Sequence, residues 1–254
     1  MVSVNASDFV DRYWNLSVDA DMPGAPFNAT VSINKYLIAT QGNIDQIRAN
    51  QWAVISKARQ KGITIEDGVA ARLRNGKGSP DDMELILGAG VESGALKAEE
   101  HALQAWADHN LGVDCTGFVI AYLVEIGALK WNSTLNGGAS CPWIYQTIAK
   151  MNWNVNKYAS EPEIWNVGDI HPDDIILWMK SGGGPETKSP GHISLVVDKG
   201  DAGIDCAESN GSDDGDGHSG PRNTVRQLQK TQTGGGKKWW QLDNGIIVVR
   251  PVGS

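Results

Sequence analysis

The hydrophobic pattern divides the chain into a helical first part and a strand-rich second part. The segment 43–61 has apolar residues at helical spacing, which form one stripe: Ile44, Ile47, Trp52, Ile55 and Ala58. Ser79 followed by Pro80 predicts a helix start, because serine caps a helix and proline fits its first turn. The segment 96–110 predicts another amphipathic helix, with an apolar side formed by Leu96, Leu103, Trp106 and Ala107.

The second part begins with a nearly all-apolar segment, residues 115–129, in which Glu125 is the one charged residue. A helix that is hydrophobic almost all round is buried. Short apolar segments separated by glycine-rich turns then predict strands over 174–179, 192–198, 204–210 and 245–250. Helices followed by strands indicate an α+β fold, with an antiparallel sheet against the buried helix. Because no linker separates the parts, residues 1–109 are predicted to be a helical N-terminal extension packed on a core of residues 110–254.

Length and charge exclude several classes of protein. A chain of 254 residues can bury a substantial core, and its formal net charge of −8 gives no electrostatic support for binding nucleic acid. No apolar run approaches the roughly 20 residues of a membrane-spanning helix, so we expect no membrane insertion. Residues 1–20 lack the apolar region of a signal peptide. We therefore expect a soluble protein, cytoplasmic unless a dedicated system exports it or lysis releases it.

The cysteines do not form a recognisable disulfide framework or zinc motif. There are three of them, Cys115, Cys141 and Cys206. Free cysteine is usually buried, so Cys141 and Cys206 are interpreted as inert core thiols, with a disulfide between them left open. The acidic run 212–217 lacks the spacing of a calcium loop and is interpreted as a solvated turn. We expect no metal and no cofactor.

Cys115 has a different context, because Asp114, Thr116 and Gly117 around it mark the start of the apolar helix. At a helix N-terminus the unpaired backbone amides and the helix dipole stabilise a thiolate. The same amides can bind an oxyanion. Cys115 is therefore a candidate nucleophile, and the alternative is a small apolar residue that opens a core helix.

His192 follows a Pro-Gly turn and begins a predicted strand. If Asp198 pairs with Ile204 across the next turn, residues whose numbers sum to 402 lie opposite each other. His192 then shares one face of the sheet with Glu208 and Asn210, since side chains alternate along strands. A polar group beside the imidazole can hold it in the orientation that nucleophilic catalysis needs.

These segments resemble the papain-like cysteine hydrolases of the NlpC/CHAP type. Residues 114–119 (DCTGFV) resemble the NlpC nucleophile motif, and 174–178 (DIILW) with 191–197 (GHISLVV) resemble its pair of strands. Residues 207–210 (AESN) are similar to a strand of the CHAP amidases. The resemblance implies that Cys115 is the nucleophile and His192 its base, with Glu208 or Asn210 as the orienting residue.

The resemblance also bears on the substrate. It implies that Asp114 contacts a substrate amine; Thr116 beside it is taken as a further substrate-binding residue, and Trp178 as a wall of the cleft. The glycine-rich insertion 182–189 can cover the site, and Asp173 stands where the family usually has glycine.

The family acts on amide bonds of peptidoglycan stem peptides or cross-links. That activity implies a wall-remodelling enzyme, a lysin or an antibacterial effector, the last with an inhibitor or immunity protein as partner. The alternatives are an amidase or acyltransferase with another substrate, and a non-catalytic binding or toxin module. The oligomeric state stays open.

Overall fold

The computed structural model describes residues 4–37, 42–148, 154–156, 165–166, 170–179, 190–200, 203–212, 218–226, 231–234, 237–240 and 246–250. Helices α1 to α8 span Ala6–Trp14, Ile44–Gln60, Asp67–Arg74, Pro80–Glu92, Glu100–Asn110, Cys115–Glu125, Ser133–Gly138 and Cys141–Ile148. Strands β1 to β11 span Leu16–Ala20, Phe27–Val31, Asn154–Asn156, Trp165–Asn166, Ile175–Met179, Pro190–Lys199, Ile204–Asn210, Gly220–Arg226, Thr231–Gly234, Lys237–Trp240 and Ile246–Arg250.

The strands of the second part form a sheet in the order β3-β11-β5-β6-β7-β8, with every neighbouring pair antiparallel. The four predicted strands correspond to β5, β6, β7 and β11. Helix α6 packs on β6 and β7, so the buried helix lies against the middle of the sheet. The predicted α+β class, with helices and an antiparallel sheet, is confirmed.

The first part is not purely helical, so that expectation is wrong for residues 16–31. Strands β1 and β2 form an antiparallel hairpin in which Leu16 lies opposite Val31. Burial alternates along β1, with Leu16 and Val18 buried and Ser17 and Asp19 exposed. A period of two is the pattern of a half-buried strand, and it was present in the sequence.

The predicted helix start at Ser79 is confirmed. Its side chain accepts a hydrogen bond from the amide of Asp82, and the Asp82 carboxylate accepts one from the amide of Ser79. In contrast, the buried stripe predicted for α2 is wrong at Trp52, which is 48% exposed and packs beside Arg59. Gln51 takes the buried position and donates to the Asn110 carbonyl at 2.7 Å. Helix position, rather than side-chain polarity, decides burial at this point.

Two other helix boundaries differ from those predicted. Helix α5 begins at Glu100 rather than residue 96, because Leu96 belongs to the preceding turn and donates its amide to the Gly90 carbonyl. Helix α6 ends at Glu125 rather than residue 129. Gly127 has φ +78°, a left-handed conformation that favours glycine and reverses the chain. All residues of α6 from Cys115 to Leu123 are buried, as predicted.

One hydrophobic core contains residues from both parts of the chain. The aromatic ring of Phe9 in α1 lies 5.5 Å from those of Phe118 and Tyr122 in α6. Residues 33–37, here called the strap, run between the two parts: the Lys35 carbonyl accepts from Val113, and the Asn34 carbonyl from Ser219.

Asp173 adopts a left-handed backbone conformation, with φ 69°. Its amide donates to the Val196 carbonyl at 2.8 Å, and its carboxylate accepts from the Tyr122 hydroxyl. These contacts hold an aspartate in a left-handed conformation that favours glycine. The insertion 182–189 and residues 213–217 lie outside the described residues. Within the described part of the chain, no helix has the length and apolar character needed to cross a membrane.

Candidate active site

Cys115 is the first residue of α6, where the sequence places it, and it is 5% exposed. Asp114 caps this helix and accepts from the Gly117 amide at 2.6 Å. The amide of a first helical residue has no acceptor within its helix, and the Cys115 amide instead interacts with the Tyr36 hydroxyl oxygen. A Cβ on Gly117 would lie 2.3 Å from the Gly76 carbonyl oxygen. Glycine therefore lets the loop between α3 and α4 approach the first turn of α6.

A buried ion pair lies beneath this first turn. Lys77 has a side chain that is 4% exposed, and its Nζ donates to Asp114 Oδ1 at 2.6 Å and to the Thr116 hydroxyl. Thr116 in turn donates to Asp114 at 2.8 Å. Both predicted substrate-binding side chains are thus engaged within the protein, and their contact with a substrate amine stays a prediction.

His192 and Glu208 meet on neighbouring strands. The predicted register holds at Leu195 opposite Ala207, while a bulge between Val196 and Asp198 shifts it by one residue near the turn. The assumed starting pair of Asp198 with Ile204 is therefore wrong, because Ile204 lies opposite Lys199. Beyond the bulge the two side chains approach, and His192 Nε2 lies 2.9 Å from Glu208 Oε2.

Glu208 is the residue that contacts the imidazole, and Asn210 supports it from behind. Glu208 is fully buried, and its Oε1 accepts from Asn210 Nδ2 at 3.0 Å. Arg226 donates to both carboxylate oxygens, with Nε 3.2 Å from Oε2. Of the two residues that the sequence leaves open, Glu208 therefore holds the orienting position.

The charges in the site are mutually stabilising. Hydrogen bonds from Cys141 and then from His192 hold the pKa of Cys115 well below its ordinary value, although burial opposes this shift. Burial alone would lower the pKa of His192, but Cys115 and Glu208 outweigh it and raise the pKa to about 9. Burial would raise the pKa of Glu208, but His192 and Arg226 lower it to about 2. These shifts favour the thiolate form of Cys115, the imidazolium form of His192 and the carboxylate form of Glu208.

Cys141 is buried, as predicted, and it also adjoins the candidate nucleophile. Its sulfur lies 3.9 Å from the Cys115 sulfur. All three cysteines are free, and the open question of a Cys141–Cys206 disulfide is answered in the negative. Burial raises the pKa of Cys206 to about 12, as befits an unreactive thiol.

Tyr36 brings the strap to the nucleophile. Its hydroxyl lies 3.6 Å from the Cys115 sulfur, and its ring packs against Gly211, where a Cβ would lie 3.0 Å from the ring. Burial, followed by the neighbouring Cys115 thiolate, raises the pKa of Tyr36, so the hydroxyl stays protonated and can donate. The sequence around Tyr36 contains no catalytic motif, and Tyr36 lies far before Cys115 along the chain. No sequence signal therefore marks it as a site residue.

A cleft of about 490 Å³ opens beside Tyr36 and His192. Its lining consists of Tyr36, Trp178, Gly191, His192, Asn210, Gly211 and Arg226. Trp178 lies opposite His192 on β5, with ring centroids 5.4 Å apart, and the Arg226 guanidinium lies 5.6 Å from the indole. Trp178 therefore forms a wall of the cleft, which is where the sequence analysis expects it.

An acidic side chain, an imidazole and a thiolate in this order can perform nucleophilic attack on a carbonyl carbon, followed by proton transfer to the leaving group. Comparisons of the chain with protein-family models, with curated proteins and with solved structures found no match. The resemblance to the NlpC/CHAP type thus stays a prediction based on the residues quoted above.

Proposed function

We propose that the protein is a cysteine hydrolase that cleaves an amide bond through an acyl-enzyme on Cys115. The observation that carries this proposal is the 2.9 Å contact of His192 with the buried Glu208, together with the interaction with His192 that helps lower the pKa of the Cys115 thiol. A thiolate at a helix N-terminus beside a cation is the microenvironment of reactive cysteines. A merely structural cysteine has no need of a buried carboxylate that orients its neighbour.

In the first half of the reaction, the Cys115 thiolate attacks the amide carbonyl carbon. The resulting oxyanion accepts a hydrogen bond from the Tyr36 hydroxyl, which adjoins the sulfur. His192, protonated at neutral pH, donates a proton to the leaving nitrogen, and the amine departs. Glu208 keeps the imidazole in place and stabilises its positive charge during this step.

In the second half, the neutral imidazole of His192 takes a proton from water, and the hydroxide attacks the acyl group. The thiolate leaves, and the imidazolium–thiolate pair is restored. Arg226 and Asn210 hold Glu208 from the side away from His192, so the carboxylate stays oriented through both halves. No metal is needed in this sequence of steps.

The substrate class follows from the resemblance, and we propose a peptide amide of peptidoglycan, in a stem peptide or cross-link. The cleft supports a substrate with polar groups, since His192, Asn210, Arg226 and two aromatic side chains line it. Trp178 packs beside His192 and the Tyr36 hydroxyl lies beside the Cys115 sulfur, so these two aromatic side chains of the cleft can hold a peptide between them.

Digestion of purified peptidoglycan tests this proposal, with the soluble products identified by mass spectrometry. Wild type and Cys206→Ala, which removes a buried thiol outside the site, are expected to release the same stem-peptide fragments. Cys115→Ala is expected to release none. Products from Cys115→Ala equal to those of wild type would refute the nucleophile. If wild type releases no products while Cys115 is still rapidly alkylated, the same chemistry acts on a different amide substrate.

A further inference from the structure

Two buried thiols lie in contact at the site, although the proposed hydrolysis needs one. The sulfurs of Cys115 and Cys141 are 3.9 Å apart, and each cysteine is the first residue of a helix, α6 and α8. The Thr116 hydroxyl also lies 3.2 Å from the Ala139 carbonyl oxygen. The segment before α8 is therefore attached to the first turn of α6 independently of the sulfurs.

The two thiols differ in how readily they ionise. Cys141 and then His192 lower the pKa of Cys115, so Cys115 is the sulfur that more readily forms a thiolate. The hydrogen bond to Cys115, together with burial, raises the pKa of Cys141, which stays protonated. Peroxides react with thiolates rather than thiols, so Cys115 is oxidised first.

We propose that Cys115 and Cys141 form an oxidation site at which a hydroperoxide converts the pair into an intramolecular disulfide. The Cys115 thiolate attacks the terminal peroxide oxygen, the O–O bond breaks, and alkoxide (hydroxide in the case of hydrogen peroxide) leaves, which gives Cys115 sulfenic acid. The Cys141 sulfur then attacks the Cys115 sulfur, the S–O bond breaks, and the hydroxyl group leaves as water with the Cys141 proton. The two sulfurs lose two electrons in total, and these reduce the peroxide.

The geometry suits the second step. A disulfide requires sulfurs about 2.0 Å apart, and side-chain rotation from the observed contact can supply the approach. Cys206 lies on β7, and its thiol donates to the carbonyl of Ile204, so it is not the resolving thiol. The disulfide removes the nucleophile reversibly and prevents its oxidation to sulfinic acid, which is irreversible. This inference requires the thiols alone and so goes beyond the proposed function.

The test treats the reduced wild-type protein with hydrogen peroxide, blocks remaining thiols under denaturing conditions and maps the peptides by mass spectrometry. We expect a Cys115–Cys141 cross-linked peptide that is lighter by two hydrogen atoms and disappears on reduction with dithiothreitol. Cys206→Ala is expected to give the same cross-link. In Cys141→Ser, Cys115 is expected to gain two or three oxygen atoms, which dithiothreitol does not remove.

Sulfinic acid on Cys115 of the wild type, without a cross-link and at the rate seen in Cys141→Ser, would overturn the inference. A Cys115 that peroxide leaves unchanged would overturn it as well. The readout contains no substrate, so inability to digest peptidoglycan does not affect it. Conversely, a reduced protein that digests peptidoglycan but forms no disulfide refutes this inference and leaves the proposed hydrolysis intact.

Discussion

His192 links the charge of the site to the pH at which the protein is stable. Its pKa of about 9 in the folded protein exceeds the ordinary value of 6.5. A group with a raised pKa contributes stability that is fully present below the unfolded value and is lost as pH rises through the folded value. The stabilising proton of His192 is therefore held at neutral pH and released towards pH 9.

We expect the ring proton resonances of His192 to titrate with a midpoint near 9 when followed by NMR. In Glu208→Gln the midpoint is expected to fall by about one to three pH units, because the amide supplies no negative charge to the imidazolium. Asp205→Asn changes a carboxylate elsewhere on β7 and is the control, with an unchanged midpoint. A midpoint in wild type near 6.5 would contradict the ion pair.

Single residues of the site were predictable to different degrees. Cys115, His192 and Glu208 lie in short motifs. The assumed pairing of the strands that hold His192 and Glu208 placed these two residues on one face of the sheet, although a bulge shifts the pair from which the register was counted. Tyr36 and Cys141 reach the Cys115 sulfur from other elements. Local patterns carry no information on such contacts, since these depend on how distant elements pack.

At the scale of elements, the first turn of α6 depends on the loop that precedes α4. Gly117 lies against the backbone of Gly76 and Lys77, and Lys77 neutralises Asp114 from the same loop. This loop therefore positions the nucleophile both by its shape and by its charge.

Gly117→Ala is expected to destabilise the protein by about 1–3 kcal/mol, because the added methyl group must displace backbone atoms in a packed region. Gly137→Ala in α7 is the matched control, since a Cβ there meets nothing within 4 Å. The control is expected to be neutral or slightly stabilising, as alanine favours helix. Urea unfolding of both variants measures the difference, and equal effects would contradict the close approach.

Lys77→Met is expected to reduce the free energy of unfolding by about 3 kcal/mol, because it leaves the Asp114 carboxylate buried without its partner. Adding Asp114→Asn is expected to restore most of this loss, since asparagine still caps α6 and carries no charge. The double-variant cycle in urea measures the coupling. If the loss in the double variant equalled the sum of the losses in the two single variants, the ion pair would contribute nothing to stability.

Elements were predicted best where capping signals were strong. The predicted helix start at Ser79 and the predicted buried, nearly all-apolar helix α6 are confirmed, and the Gly127 reversal explains the early end of α6. The β1–β2 hairpin was overlooked because the surrounding helical patterns suggested a helical first part. Gln51 is buried in place of Trp52 by its position on the helix, and its hydrogen bond to the Asn110 carbonyl, which the hydrophobic pattern does not encode, satisfies its amide there.

At the scale of the whole molecule, the core joins what the sequence suggested were an extension and a catalytic part. Residues from Ala6 to Ala207 contribute to one hydrophobic cluster. The strap carries Tyr36 into the cleft and is fixed by hydrogen bonds to Val113 and Ser219. Residues 1–109 thus contribute a side chain to the site.

We expect a fragment of residues 110–254 to lack a cooperative thermal transition, because α6 would lose the aromatic partners that α1 provides. Circular dichroism on heating, with the full chain as control, measures this. Addition of a separate 1–109 fragment is expected to restore the transition if the two pieces associate. A sharp transition of the 110–254 fragment alone would instead mark it as an independent domain.

The strap lies early in the chain, and this position affects the order in which the site residues come together during synthesis. The ribosome releases Tyr36 and Cys115 well before β6 and β7, which hold His192 and Glu208. Chains fold as their segments emerge, so the emerging polypeptide holds a cysteine without its imidazole until late in translation. The proposed hydrolytic site is therefore complete only after β6 and β7 have emerged and paired.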